Sequence, residues 1–75
     1  MRKHYHFTAI IEREDDMYVA FSPELDVASQ GWSVEEARKN LKEAIELILE
    51  TASEDEVRER FHNEIFITHV EIAIG

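Results

Sequence analysis

Only one long stretch of this chain carries a helical repeat. Val34, Ala37, Leu41, Ala44, Ile45, Ile48, Leu49 and Ala52 recur at intervals of three, four and one, forming one apolar stripe over about five turns. The residues on either side alternate with period two, the pattern of strands. A chain with several strands and one principal helix must stack that helix on one face of a sheet, and the other face is left for something else.

The strands follow from that alternation. In Tyr5–Glu14, Tyr5, Phe7, Ala9 and Ile11 point one way, while His6, Thr8, Ile10 and Glu12 point the other. Glu14-Asp15-Asp16 forms a charged turn, and Met17–Ser22 returns as the second arm of an antiparallel hairpin, ended by Pro23, which cannot donate to a ladder. Asp26–Trp32 is a weaker third strand with Gly31 near its end. Ser33-Val34-Glu35-Glu36 opens the helix as a capping box, in which the Ser33 hydroxyl accepts from the third helical N–H and Glu36 reaches back to the Ser33 N–H. On the outer face Glu35 precedes Lys39 in the favourable order. Ser53-Glu54-Asp55-Glu56 repeats the cap before a short helix over 54–62. Ile65–Ile74 closes the chain as a strand with Phe66, Thr68, Val70, Ile72 and Ile74 on one face and Ile65, Ile67, His69, Glu71 and Ala73 on the other. The expected class is α+β. A single domain over residues 1–75 has a β-β-β-α-β mixed sheet and one main helix on one face.

That arrangement leaves an apolar surface uncovered. Ile10, Met17, Val19, Phe21, Ile65 and Ile67 cannot all lie under one helix, and an antiparallel sheet facing water normally has a polar outer face. With 75 residues and no cysteine, the core is small and no disulfide reinforces it. Burial by another chain is the usual remaining support, so the chain is expected to be a homo-oligomer or to bind a protein partner.

Charge indicates what kind of partner. The formal net charge is −9, from 17 acidic and 8 basic residues. Residues 1–11 carry only Arg2 and Lys3, and the acids concentrate from Glu12 onward. Such a surface repels nucleic acid and anionic lipid and favours a basic protein. No apolar run approaches a membrane span and no signal-peptide core is legible, which points to a cytoplasmic chain with no membrane association.

Sites for chemistry are sparse. His4 and His6 share a strand face, and His69 joins them if the last strand lies beside the first. Without cysteine or an assured carboxylate ligand, no metal is expected there. Glu14-Asp15-Asp16 and Glu54-Asp55-Glu56 lack calcium-loop spacing and read as a turn and a helix start. No serine is marked as activated, Gly31 stands alone without a phosphate loop, and Trp32 reads as a core anchor at a strand-to-helix junction. No catalytic residue and no cofactor are expected.

In order along residues 5–50, Tyr18-Val19-Ala20-Phe21-Ser22-Pro23-Glu24-Leu25, Ser29-Gln30-Gly31, Val34-Glu35-Glu36-Ala37 and Asn40-Leu41-Lys42-Glu43-Ala44 resemble the HicB-type antitoxin family. Its members share an F-x-P-[DE]-L segment, a Q-G-D-T-like turn, an EEA helix start and an N-x-x-E-A element. Here Trp32 stands in place of the usual acid after the glycine, Ser33 replaces the usual Thr, and Leu25-Asp26-Val27-Ala28 lacks the common Gly-Cys pair. The resemblance implies a truncated ribonuclease H-like fold and a non-enzymatic antitoxin role, masking the active surface of a small basic RNA-cleaving toxin. Full-length members add a DNA-binding module; none is legible here, so direct nucleic-acid binding is not expected.

The surface expected to meet a partner is the sheet's open face, with Ile10, Ile65, Ile67 and His69 at its centre and Glu12, Asp15 and Asp16 in an acidic rim. Two alternatives use the same residues differently. One is an oligomeric HicB-like scaffold. The other is a ribonuclease H-like nuclease, which needs carboxylates converging on two metal ions, whereas the acids of the first strand sit at its far end.

Overall fold

Asp15 and Asp16 form a two-residue turn that joins β1 (Ile10–Glu14) to β2 (Met17–Ser22) in the computed structural model, which describes residues 5–75. Asp15 adopts a left-handed backbone with φ of 56°, a conformation aspartate tolerates in tight turns. β3 (Val27–Gly31) pairs with the other side of β2, giving a three-stranded sheet in the order β1-β2-β3, antiparallel throughout. Two helices follow, α1 (Val34–Thr51) and α2 (Glu54–Arg60).

The register sorts the side chains. Ile11 opposes Ala20, which opposes Ser29, and Arg13 opposes Tyr18, which opposes Gly31. This set faces α1. The alternate set, Ile10 opposite Phe21 and Glu12 opposite Val19, with Phe21 opposite Ala28 and Val19 opposite Gln30, faces away from it. The core lies between sheet and α1 and consists of Ala20, Leu25, Ala37, Leu41 and Ile45, with Phe7, Ile11, Tyr18, Val27, Ile48, Leu49 and Phe61 packed round it.

The first turn of α1 comes very close to the end of β3. A Cβ on Gly31 would lie 2.6 Å from the Ala37 nitrogen and 2.8 Å from the Glu36 carbonyl carbon, both backbone atoms that cannot move aside. Ser33 caps α1 by accepting from the Glu36 N–H at 3.0 Å. Glu36 reaches back one residue further than expected and accepts from the Trp32 N–H at 3.2 Å, not from that of Ser33. Ser53 caps α2 through the Glu56 N–H at 3.1 Å. On α1 the charge pair within reach is Lys42 with Glu46 at 3.6 Å; the expected Glu35–Lys39 pair is not formed.

Several expectations need correction. Residues 65–74 form no strand, so the sheet has three strands, not four, and is not mixed. Alternation assigns the two faces of a strand but supplies no neighbour, and this segment has none among the described residues. The first strand begins at Ile10, not Tyr5, because its partner β2 ends where Pro23 begins. Beyond that point the Thr8 N–H donates to both carboxylate oxygens of Glu24 at 2.9 Å, so a side chain takes over from the ladder. Trp32 is no core anchor; it is 66% exposed. Val34, at the head of the apolar stripe, is also exposed.

Candidate functional site

The face of the sheet turned away from α1 has no element packed on it among the described residues. Met17, Val19 and Phe21 on the central strand are half-buried by their neighbours, and Ile10 and Ala28 on the flanking strands are exposed beside them. Trp32, just past β3, extends this surface. With Met17, Val19 and Gln30 it lines a shallow open depression of about 390 Å³, closed at one end by Glu14, Asp15 and Asp16. Glu12 and Glu14 are also exposed on this face, and Arg13, the one base of the hairpin, points to the other side.

The result is an apolar centre with an acidic edge. Its carboxylates lie in water and are spread along the turn. They form no converging cluster, and among the described residues no group of three His, Asp or Glu side chains is placed to hold a metal ion. The surface can desolvate against a matching apolar patch while its rim attracts positive charge.

Of the residues expected at this surface, Ile10, Glu12, Asp15 and Asp16 come together on the hairpin. Ile65, Ile67 and His69 do not join them, because their segment is not part of the sheet. His6 and His69 are both exposed, and His4 lies outside the described residues. The residues that fill the vacated part of the surface are Met17, Val19, Phe21 and Trp32. The period-two pattern of β2 already placed the first three together. Alternation along the expected strand Asp26–Trp32 sets Trp32 with Ala28 and Gln30, but β3 ends at Gly31 and the reading of Trp32 as a core anchor set that signal aside.

Glu24 organises the opposite end of the sheet. Its carboxylate accepts from the Thr8 N–H, from the Thr8 hydroxyl at 2.6 Å and from the Ser22 hydroxyl at 3.0 Å. Its carbonyl accepts from the His62 N–H at 2.7 Å. Partial burial on its own raises the carboxyl pKa, but the donors from Thr8, its own N–H and Ser22 outweigh that and hold it below the usual glutamate range. Next to it Leu25 is fully buried, and its carbonyl accepts from Arg60 at 3.1 Å. The segment Pro23-Glu24-Leu25 thus ties together the approach to β1, the core and the exit from α2. Asn40 has a similar role at the other edge, donating from Nδ2 to the Gln30 carbonyl at 2.8 Å. These contacts give the F-x-P-[DE]-L segment and the asparagine of the N-x-x-E-A element a structural role.

The chain is 44% identical over 68 residues to a UPF0150 protein of Helicobacter pylori, an alignment covering 89% of this chain and 94% of that protein. It is 46% identical over 52 residues to a UPF0150 protein of Thermotoga maritima, covering 65% of this chain and 69% of that one. It belongs to the UPF0150 family. No family model matches the sequence, and no solved structure matches it. Among the described residues no helix is long and apolar enough to cross a membrane.

Proposed function

We propose that this UPF0150 chain is a non-enzymatic, HicB-like antitoxin domain that neutralises a small basic RNA-cleaving toxin by covering its active surface. The observation that supports this most directly is the open sheet face, where Ile10, Val19, Phe21 and Trp32 form an apolar centre beside the acids Glu12, Glu14, Asp15 and Asp16. A toxin that grips RNA must present positive charge, so an acidic rim steers the two proteins together, and the apolar centre supplies the contact area. The ordered HicB-like motifs add the family-level argument, and a truncated ribonuclease H-like arrangement belongs to the same reading. The domain would act in the cytoplasm without cofactor or metal.

Co-expression with the protein encoded beside it tests the proposal. A small basic chain that co-purifies, and that cuts RNA only when this domain is absent, is the expected result. Absence of any such neighbour, or RNA cleavage undiminished by the domain, overturns it. On the complex, reversing Asp15 and Asp16 to lysine should slow association about tenfold at low salt and flatten its salt dependence. An association rate unchanged across a salt series removes the electrostatic part.

A further inference from the structure

Residues 64–75 make no hydrogen bond to the rest of the described chain, although their sequence is that of a strand. Phe66 is 82% exposed and Ile74 96% exposed, far beyond what isolated surface apolar residues require. The Cα radius of gyration is 14.7 Å, against about 11 Å for a compact chain of this length, and the longest dimension is 53 Å. The segment is an arm held away from its own sheet. Its root is fixed, because the His62 N–H bonds the Glu24 carbonyl and Phe61 packs edge-on against Phe7 with ring centroids 5.9 Å apart.

The sheet has two edges, and they are not equivalent. The two-residue turn makes Glu14 and Met17 a hydrogen-bonded pair, and the alternation that follows decides which backbone groups face outward. On β3 these belong to Ala28 and Gln30, and the Gln30 carbonyl is already taken by Asn40. On β1 they belong to Ile11 and Arg13, and among the described residues nothing occupies them. The bond from the Thr8 N–H to Glu24 fits the same alternation, since Thr8, like Ile10 and Glu12, turns inward. An open edge of this kind is a template for another strand.

We propose that the arm, residues 65–74, pairs with the outer edge of β1 in a second copy of this chain, each copy giving and receiving one arm in a closed twofold dimer. Among the described residues every copy has both halves of the contact, an unpaired strand and an unpaired edge, so reciprocal exchange satisfies both and leaves no end open to further growth. Each arm becomes the fourth strand of its partner's sheet through main-chain hydrogen bonds. The exchange extends the sheet sideways and leaves the open face of Ile10, Val19 and Phe21 available, so it stands apart from the proposed toxin contact.

The 75-residue chain should sediment at twice its 8.8 kDa, with the Ile11 and Arg13 amides protected from hydrogen exchange. Arg13→Pro removes an outward N–H without touching the β1–β2 ladder and should give a folded monomer by mass and circular dichroism. Val70→Pro and Glu71→Pro remove N–H groups on opposite edges of the arm, so at least one should give a monomer in which the two β1 amides exchange at least about tenfold faster. Three results overturn the proposal. A monomeric wild type does so, and if its two β1 amides are protected the arm folds back on its own sheet. A dimer that survives both arm substitutions shows that the arm is not the contact. A dimer lost with the arm substitutions but kept with Arg13→Pro shows the arms pairing with each other.

Discussion

β2 and residues 65–74 are alike in sequence and opposite in fate. Both are short, rich in β-branched and aromatic residues, and alternate with period two. β2 sits between two neighbours, and its Ala20 and Ser22 are fully buried. The arm has no strand neighbour among the described residues and stays exposed along nearly all its length. Apolar content therefore does not by itself produce a strand. A ladder needs a second backbone at the right distance, and side-chain burial follows once the ladder exists.

The largest effect that separates these regions is expected at Leu25, which fills the core beside Ala37 and Leu41. Leu25→Ala should cost about 2–5 kcal/mol, measured by urea unfolding; a loss no larger than that of an exposed residue would mean that the sheet–helix core does not carry the fold. Gly31→Ala places a Cβ against the backbone of α1 and should cost about 1–3 kcal/mol, with a lowered melting temperature and no change in the arm's exposure to protease. Glu24→Gln tests the junction where arm and sheet meet. The folded-state pKa of Glu24 is depressed, so its carboxylate contributes stability above the ordinary glutamate value of about 4.3, and that contribution is lost as pH falls through the lower folded value. The variant should melt lower than wild type at neutral pH, and the gap should close in acid; a gap constant with pH would show that the carboxylate is not held by Thr8 and Ser22. Ile74→Ser should be the mildest, within about 0.5 kcal/mol at a concentration where the chain is monomeric, because its side chain is already in water.

The hairpin was legible down to its turn. Tyr18 and Ala20 on one side and Met17, Val19 and Phe21 on the other follow from period two alone, and the α1 cap at Ser33 follows from a four-residue pattern. Of the seven residues expected at the open face, the four on the hairpin, Ile10, Glu12, Asp15 and Asp16, were placed by the same reasoning. Ile65, Ile67 and His69 were misplaced because assigning them to that surface required a pairing between segments about fifty residues apart. Trp32 was misread for a different reason. Its burial depends on the angle at which α1 leaves β3, and Gly31 sets that angle by letting the two backbones touch.

Local regularities determined by the sequence alone include the three antiparallel strand segments, the two capped helices, the acidic hairpin turn and the identity of the two faces of each strand. These depend on backbone sterics, side-chain period and capping bonds, which act over a few residues. The tertiary structure decided which strands have neighbours, that Glu24 would gather Thr8, Ser22 and His62 at one corner, that Asn40 would block one sheet edge while the other stayed open among the described residues, and that the last ten residues would stay out of the sheet. Each of these depends on contacts between residues far apart in the chain, whose free energy exists only once the whole arrangement has formed.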